Sequence, residues 1–350
     1  MLYENGVPFL ESHVPHRYIR TEGRGLFSHW QDFLFFSTSA NSDPNTNGRR
    51  YTYTVSPGLY RPPSRMWNVR PINLLERDAS PEAIARDVAY ALDVGRSIVG
   101  WLSEFGEVRG KVVLEIGPGI NFGPILFLAC HGAIPIVSDR FLAPWDTEYH
   151  PEFYHRLRKE IRCQHPELNL RPLDALLDLN NYSQDVLARV ETGVESLNLD
   201  DNSVDIVVSN AVLEHVEDHA QAISQLYRIT KPGGWGAHQI DFRYHRSFDR
   251  PLEHLLFSPS DFERMATACL RECGTYLRPF DMADSFTAAG FEMWDFRPSM
   301  FASPEYLQDI LPRLRKVRKS RYRKISERKL RILAGRFLVH KPLRSQILLG

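Results

Sequence analysis

One stretch constrains this chain more than any other. Val112-Val113-Leu114 runs directly into Glu115 and then into a glycine-bearing turn, Ile116-Gly117-Pro118-Gly119-Ile120-Asn121-Phe122-Gly123. An apolar run without polar alternation is what a strand buried on both faces requires, and such strands belong to parallel sheets covered by helices on both sides. A glycine turn at the end of the strand lets a ligand lie against backbone where the strand order reverses. Asp139, about 20 residues further on, is where an acid can hold ribose hydroxyls. The arrangement suits an adenosine-bearing ligand. A plain strand-to-helix turn with fortuitous glycines is the bland alternative, because short glycine patterns are weak signals on their own.

The flanking sequence supplies the rest of a Rossmann-like, doubly wound α/β core. Ser80-Pro81-Glu82 predicts a helix start with Ser as N-cap and Pro at the first position, and apolar residues recur at helical spacing through Ile84, Val88, Leu92, Ile98 and Leu102 towards a stop near Gly106. Downstream, a helix is predicted over Pro124 to Cys130 with Gly132 as its stop, then a strand from Ile134 to Ser138. Val204 to Ser209 reads as a second buried parallel strand, followed by a helix from about His219 to Thr230. Lys231-Pro232-Gly233-Gly234 reads as a turn before a strand from Trp235 to Phe242. A helix from Met282 to Ala289, capped by Gly290, precedes a strand from Phe291 to Phe296, and a last strand is expected at Arg336 to His340. The expected organisation is an accessory or lid segment over 1–78 and a core over 79–300 with insertions at 143–190 and 243–280. A basic helix and final strand over 301–350 complete it. The first segment is rich in aromatics and turn residues, with a loop from Asn41 to Gly48 before a strand-like Tyr51 to Val55.

Composition narrows the class further. A chain of 350 residues with 43% apolar content fits one core carrying large insertions, and no window approaches the roughly 20 apolar residues of a membrane span. The start of the chain has neither a basic region nor an apolar core of the secretory kind, so a cytoplasmic protein is expected. Cys130, Cys163, Cys269 and Cys273 are too few and too irregular for a disulfide framework or a zinc site, and the last two are placed four apart in a helix. No metal is expected.

The segment from Val112 to Gly123 resembles motif I of class I S-adenosylmethionine-dependent methyltransferases, in which a strand ends in an acid followed by G-x-G. The resemblance continues through Ser203 to Val216, similar to that family's fourth strand and following loop, and through Leu226 to Gly234, similar to the helix and turn before the fifth. It spans roughly residues 80 to 300, is nearest to the type 11 group, and implies a seven-stranded, mainly parallel sheet with S-adenosylmethionine as cofactor. It also implies that Glu115, Gly117, Pro118, Gly119 and Asn121 lie at the methionine part, Asp139 and Arg140 at the ribose, and Glu195, Ser196 and Leu197 along the adenine. Asn210 and Ala211 would close the site. Two departures are visible: Asn121 stands where a third glycine is frequent, and Gly193 where an acid is often found. A nicotinamide-dependent dehydrogenase fits worse, because its G-x-G-x-x-G fingerprint would need a glycine one residue before Gly123.

For the acceptor, Ser209-Asn210-Ala211-Val212 lacks the Asn-Pro-Pro-aromatic pattern with which similar enzymes hold a planar amino group, and no cysteine stands by these loops as a nucleophile. Oxygen is therefore the expected acceptor. His238-Gln239-Ile240-Asp241-Phe242-Arg243-Tyr244-His245 loads imidazole, carboxylate and guanidinium onto a strand end, where functional groups of open α/β sheets gather. It resembles a methyltransferase subgroup associated with bacterial surface-polysaccharide assembly, which implies a sugar hydroxyl, free or carried on a nucleotide or lipid. An aromatic or polyketide hydroxyl is the alternative, and a non-catalytic cofactor-binding scaffold is a different class. His215, Asp241, His245 and His238 are the candidate catalytic residues, with an imidazole as general base. Each has a structural reading too: His238 as a sheet residue, Asp241 as the partner of Arg243. Finally, Lys and Arg are dense over 313–331 in a chain whose 43 basic and 43 acidic residues cancel. That segment is a solvated face or docks on its own protein, or it meets a polyanion, whether lipid phosphate, a phosphorylated substrate or nucleic acid, the last disfavoured by the scarcity of aromatics around it.

Overall fold

Apolar runs without alternation become the middle of a single sheet. In the computed structural model, which describes residues 2–9, 19–20, 23–30, 33–53, 77–268 and 271–343, the chain first forms small antiparallel pieces. Strands β1 (Leu2–Glu4), β2 (Val7–Pro8) and β5 (Tyr51–Tyr53) make one sheet, and β3 (Phe27–Trp30) pairs with β4 (Phe33–Phe36). Part of the strand-like 51–55 stretch lies outside the described residues.

The core begins with helix α1 (Pro81–Leu102), whose N-cap Ser80 accepts a hydrogen bond from the Ala83 amide and whose first residue is Pro81. Seven strands follow: β6 (Val112–Ile116), β7 (Ile134–Ser138), β8 (Ala188–Val190), β9 (Val204–Asn210), β10 (Thr230–Asp241), β11 (Glu292–Phe301) and β12 (Ile332–His340). They lie in the order β11-β12-β10-β9-β6-β7-β8. Six point the same way, and β12 alone runs antiparallel, between β10 and β11. This is the seven-stranded, mainly parallel, Rossmann-like sheet expected from the sequence. From β6 the chain winds one way through β7 and β8, then the other way from β9, so a crevice opens at the carboxyl ends of β6 and β9.

Helices cover both faces. On one, α1 packs with α2 (Gly123–Cys130), α3 (His150–Gln164) and α4 (Arg171–Leu179) over Val113, Val137 and Val208. On the other, α5 (His219–Ile229) and α7 (Pro279–Ala289) pack over Leu114, Val207 and Ile240. Leu114 and Val207 are fully buried, and each such side chain contributes roughly 1.5–3 kcal/mol of apolar transfer. A third cluster joins Leu252, Leu255 and Phe262 of the 243–280 insertion, which contains α6 (Pro259–Ala268), to Leu314 of α8 (Pro304–Lys316) and Leu330 of α9 (Glu327–Leu330).

Four features differ from the sequence reading. The basic helix expected within 301–350 is broken, since α8 stops at Lys316 and α9 spans only Glu327–Leu330, with turns between them. The 143–190 insertion is not only helical, since β8 lies at its end; with Arg189 in the middle of three half-buried residues, this edge strand has no apolar run to announce it. Lys231 to Gly234 is not a turn ahead of a strand but an irregularity inside β10: Thr230 pairs with Val204 and Trp235 with Ile206, so five residues advance against two. Gly234 is required there because a Cβ would meet the Asp205 and Lys231 carbonyls at 2.8 Å, and Lys231 fixes the loop through a 2.7 Å ion pair to Asp205. Cys273 sits in a turn beyond α6 rather than in a helix, while Cys269 lies outside the described residues. No helix among the described residues is long and apolar enough to cross a membrane.

Candidate active site

The loop after β6 forms a cradle. Gly117 and Gly119 adopt φ of +65° and +72°, the left-handed region that glycine enters without cost. A Cβ on Gly117 would lie 2.4 Å from Val212 Cγ2, whereas one on Gly119 would meet nothing within 4 Å. Gly119 therefore presents bare backbone to open space. Asn121 explains how the loop does without a glycine at its position: its Oδ1 accepts the Gly123 amide at 3.0 Å and its Nδ2 donates to the Tyr149 hydroxyl at 3.2 Å. Phe122 then takes φ +53° to start α2. Gly123 serves packing, because a Cβ there would stand 2.5 Å from the Ala91 Cβ of α1.

Two acids flank the cradle. Glu115 is 3% exposed, and its Oε2 has no hydrogen-bond partner. Burial pushes its carboxyl up to about 8, opposed by the Ile125 amide. Asp139, just past β7, accepts the Phe141 amide at 3.1 Å, and burial raises it as well. From the other side, α1 leans over the site: Asn210, ending β9, donates to the Tyr90 hydroxyl at 3.0 Å, and Asp87 accepts from Tyr149. Neither Tyr90 nor Asp87 was legible as a site residue, since both lie on the polar side of the apolar stripe that identifies their helix.

The second group gathers at the carboxyl ends of β9 and β10. Leu213 to His215 forms one turn of 3-10 helix, which buries Glu214 to 1% exposure. Glu214 Oε1 accepts the Asp241 amide at 3.3 Å while Oε2 is unpartnered, and burial, with Asp241 adding repulsion, pushes the carboxyl up to about 8. His215 Nδ1 lies 2.9 Å from the Arg271 carbonyl, which fixes the proton there and leaves Nε2 with its lone pair. Burial draws this imidazole below its ordinary value. His245 stands beside it, ring centroids 5.0 Å apart, with Nε2 3.4 Å from Asp241 Oδ2. Burial alone would raise Asp241, but hydrogen bonds from His245 and Arg243 hold it well below the usual carboxylate range. One ligand-capable atom each from Glu214, His215 and His245 falls within 4.8 Å of the others.

Thus the structure brings His215, Asp241 and His245 together. His238 is corrected: it is fully buried inside β10, 2.9 Å from Ser209 Oγ and stacked on Phe286, and burial lowers it to about 3. It is a core residue with no route to an acceptor. Glu195 is also partly committed, since its carboxylate accepts the Glu217 amide at 2.9 Å, tying the 194–196 turn to the start of α5. Leu197 is buried beside it, Ser196 and Arg140 are exposed, and Ala211 holds φ +55° with its amide on the Gln239 carbonyl. Glu214 was missed; its only sequence signal is its place before His215.

A methyltransferase-domain family profile matches residues 153–237, which takes in β8, β9 and most of β10 but not the cradle. No curated protein matches the sequence. Among solved structures, an S-adenosylmethionine-dependent methyltransferase from Mesorhizobium loti is similar at 13% identity, over 67% of this chain and 93% of that one, with a TM-score of 0.39. One from Methanosarcina mazei is similar at 16% identity over 69% and 97%, also at 0.39. The [4+2]-cyclase SpnF is similar at 14% identity over 71% and 80%, again at 0.39. Likenesses this distant carry no argument about activity.

S-adenosylmethionine is the cofactor that the matched methyltransferase domain supports, and the cradle fits it. The orphaned Glu115 oxygen would accept from a cationic amino group, and the open space at Gly119 would admit a chain against backbone. A consequence is measurable. An acid at about 8 is protonated at pH 7, and a cationic ligand group favours its carboxylate, so binding expels a proton and tightens as pH rises towards 8. Calorimetry at pH 7 in buffers of different ionisation enthalpy is expected to register release approaching roughly one proton per cofactor. Glu115→Gln should abolish the buffer dependence; equal heats for the wild type would mean that Glu115 does not face the charge.

Proposed function

We propose that this chain transfers the methyl group of S-adenosylmethionine to a hydroxyl of a sugar or glycan-related substrate, with His215 or His245 taking the hydroxyl proton. The observation that carries this reading is the cluster of Glu214, His215, Asp241 and His245 at the ends of β9 and β10, on the crevice that the cradle also lines. The sulfonium cofactor supplies an already activated methyl carbon, so no protein acid is required on that side. An aliphatic hydroxyl is a poor nucleophile at neutral pH, and an imidazole with a free lone pair answers that deficit. His215, with its proton held by the Arg271 carbonyl, has such a lone pair. His245 turns its Nε2 towards Asp241 at 3.4 Å, which leaves Nδ1 rather than Nε2 as its basic nitrogen, and Arg243 clamps Asp241 with two nitrogens. The glycan assignment rests on the His238 to His245 sequence. An aromatic hydroxyl is the second reading, favoured by Phe248, a 54% exposed ring 5.5 Å from His245.

The test is a panel of nucleotide sugars, lipid-linked glycans and phenols incubated with protein and cofactor, with products read by mass spectrometry. Methylation of a sugar hydroxyl is expected. Methylation of phenols alone would favour the second reading, and cofactor binding with no acceptor methylated would make the chain a scaffold. Activity is expected to survive EDTA, because in-line transfer needs only positioning and a base. Loss restored by magnesium would instead turn Glu214, His215 and His245 into ligands of a metal-bound diol.

A further inference from the structure

The structure divides the basic segment in two. Arg313 is spent on Glu253 and Asp309, Arg321 on Asp281, and Arg315 reaches the carbonyls of Arg323 and Ile325 at 2.5 and 2.6 Å. These turn inward. After Arg315 comes Lys316-Val317-Arg318-Lys319-Ser320-Arg321-Tyr322-Arg323-Lys324, nine residues with six cations, Arg321 among them, and no acid. Its backbone is pinned from within. Ser320 Oγ donates to the Leu255 carbonyl at 2.6 Å, and the Tyr322 hydroxyl, 1% exposed as a residue, lies 2.7 Å from the Tyr276 carbonyl and 2.8 Å from Asp281. Lys316, Arg318, Lys319 and Lys324 are exposed. Among the described residues Lys316, Arg318 and Lys324 make no hydrogen bond or ion pair, and Lys319 meets Asp261 only through its longer-range field.

We propose that this anchored loop docks on the anionic surface of a lipid bilayer. Like charges held together on a fixed backbone repel one another, and an opposing anionic surface removes that penalty. Attraction to acidic headgroups accumulates with each Lys or Arg near the surface. Nucleic acid is the poorer occupant, because the one aromatic ring within the loop, Tyr322, is buried and cannot stack on bases. Half-buried Val317 and Ile325, with the exposed Phe257 two residues past the Leu255 anchor, give the face apolar bodies of the kind that enter a headgroup layer. The docking rests on no part of the acceptor assignment, since it needs neither cofactor nor methyl transfer.

The experiment is sedimentation of the full chain with vesicles of phosphatidylcholine alone or mixed with phosphatidylglycerol. The wild type is expected to pellet with the anionic vesicles only, and less as salt rises. Lys316→Glu, Arg318→Glu, Lys319→Glu and Lys324→Glu combined should weaken this at least about tenfold, with S-adenosylmethionine binding and Tm unchanged. Should that variant fold poorly, Lys316→Gln with Lys319→Gln should give a smaller loss in the same direction. Equal binding to both vesicle types, or undiminished binding by the variants, would overturn the proposal. So would full competition by millimolar inorganic phosphate, which marks a free-phosphate site, or tighter binding of an RNA oligonucleotide with the same variant dependence.

Discussion

Replacing His215 with alanine is expected to lower kcat by about 10² to 10⁴-fold, the usual contribution of a general base, with cofactor affinity little changed. His245→Ala tests the second imidazole. Asp241→Asn should reproduce the His245 loss if that ring works through its carboxylate. The pH profile adds an independent sign. A base acts when deprotonated, and burial draws His215 below its ordinary value, so kcat should climb to its plateau at a pH lower than a free imidazole near 6.5 would set. His215→Ala should remove that limb. A structural histidine would behave differently, lowering Tm or cofactor affinity together with the rate. If every variant stays within about threefold of wild type, catalysis rests on positioning alone.

Asp139→Ala is expected to weaken S-adenosylmethionine binding by about 10- to 100-fold, the range for a charged partner of buried hydroxyls. Gly119→Val should cost at least as much for a different reason. Its side chain would occupy the open space above the loop, on a backbone at φ +72° that β-branched residues avoid. Binding titrations on folded variants measure both. Wild-type affinity in both variants would place the cofactor elsewhere in the crevice.

The fold was legible where burial is one-sided in its demands. Val112 to Leu114 and Val204 to Val208 must be covered on both faces, and the Ser80-Pro81 start and the Gly290 stop satisfy backbone groups locally, so these elements match. β8 was not legible, because an edge strand of three half-buried residues carries no pattern of its own. The Lys231 to Gly234 irregularity also escaped, since a glycine pair that loops out of a continuing strand looks the same in sequence as one that ends it. Glu115 and Asp139 were placed at strand ends by the sequence, and the structure has them there, beside the glycine loop. His238 misled because alternation along β10 turns it into the core while Asp241, three residues on, emerges at the strand end. Tyr90 and Glu214 depend on tertiary approach alone, of a helix 120 residues away in one case and a buried turn in the other.

The central claim is that the loop from Glu115 to Gly123, with Asp139, holds S-adenosylmethionine. Isothermal titration of the purified chain with S-adenosylmethionine, and separately with a nicotinamide dinucleotide, tests it most directly. Binding on the order of micromolar to the sulfonium cofactor alone is predicted. No heat with S-adenosylmethionine, or saturable binding of the dinucleotide in its place, would contradict it.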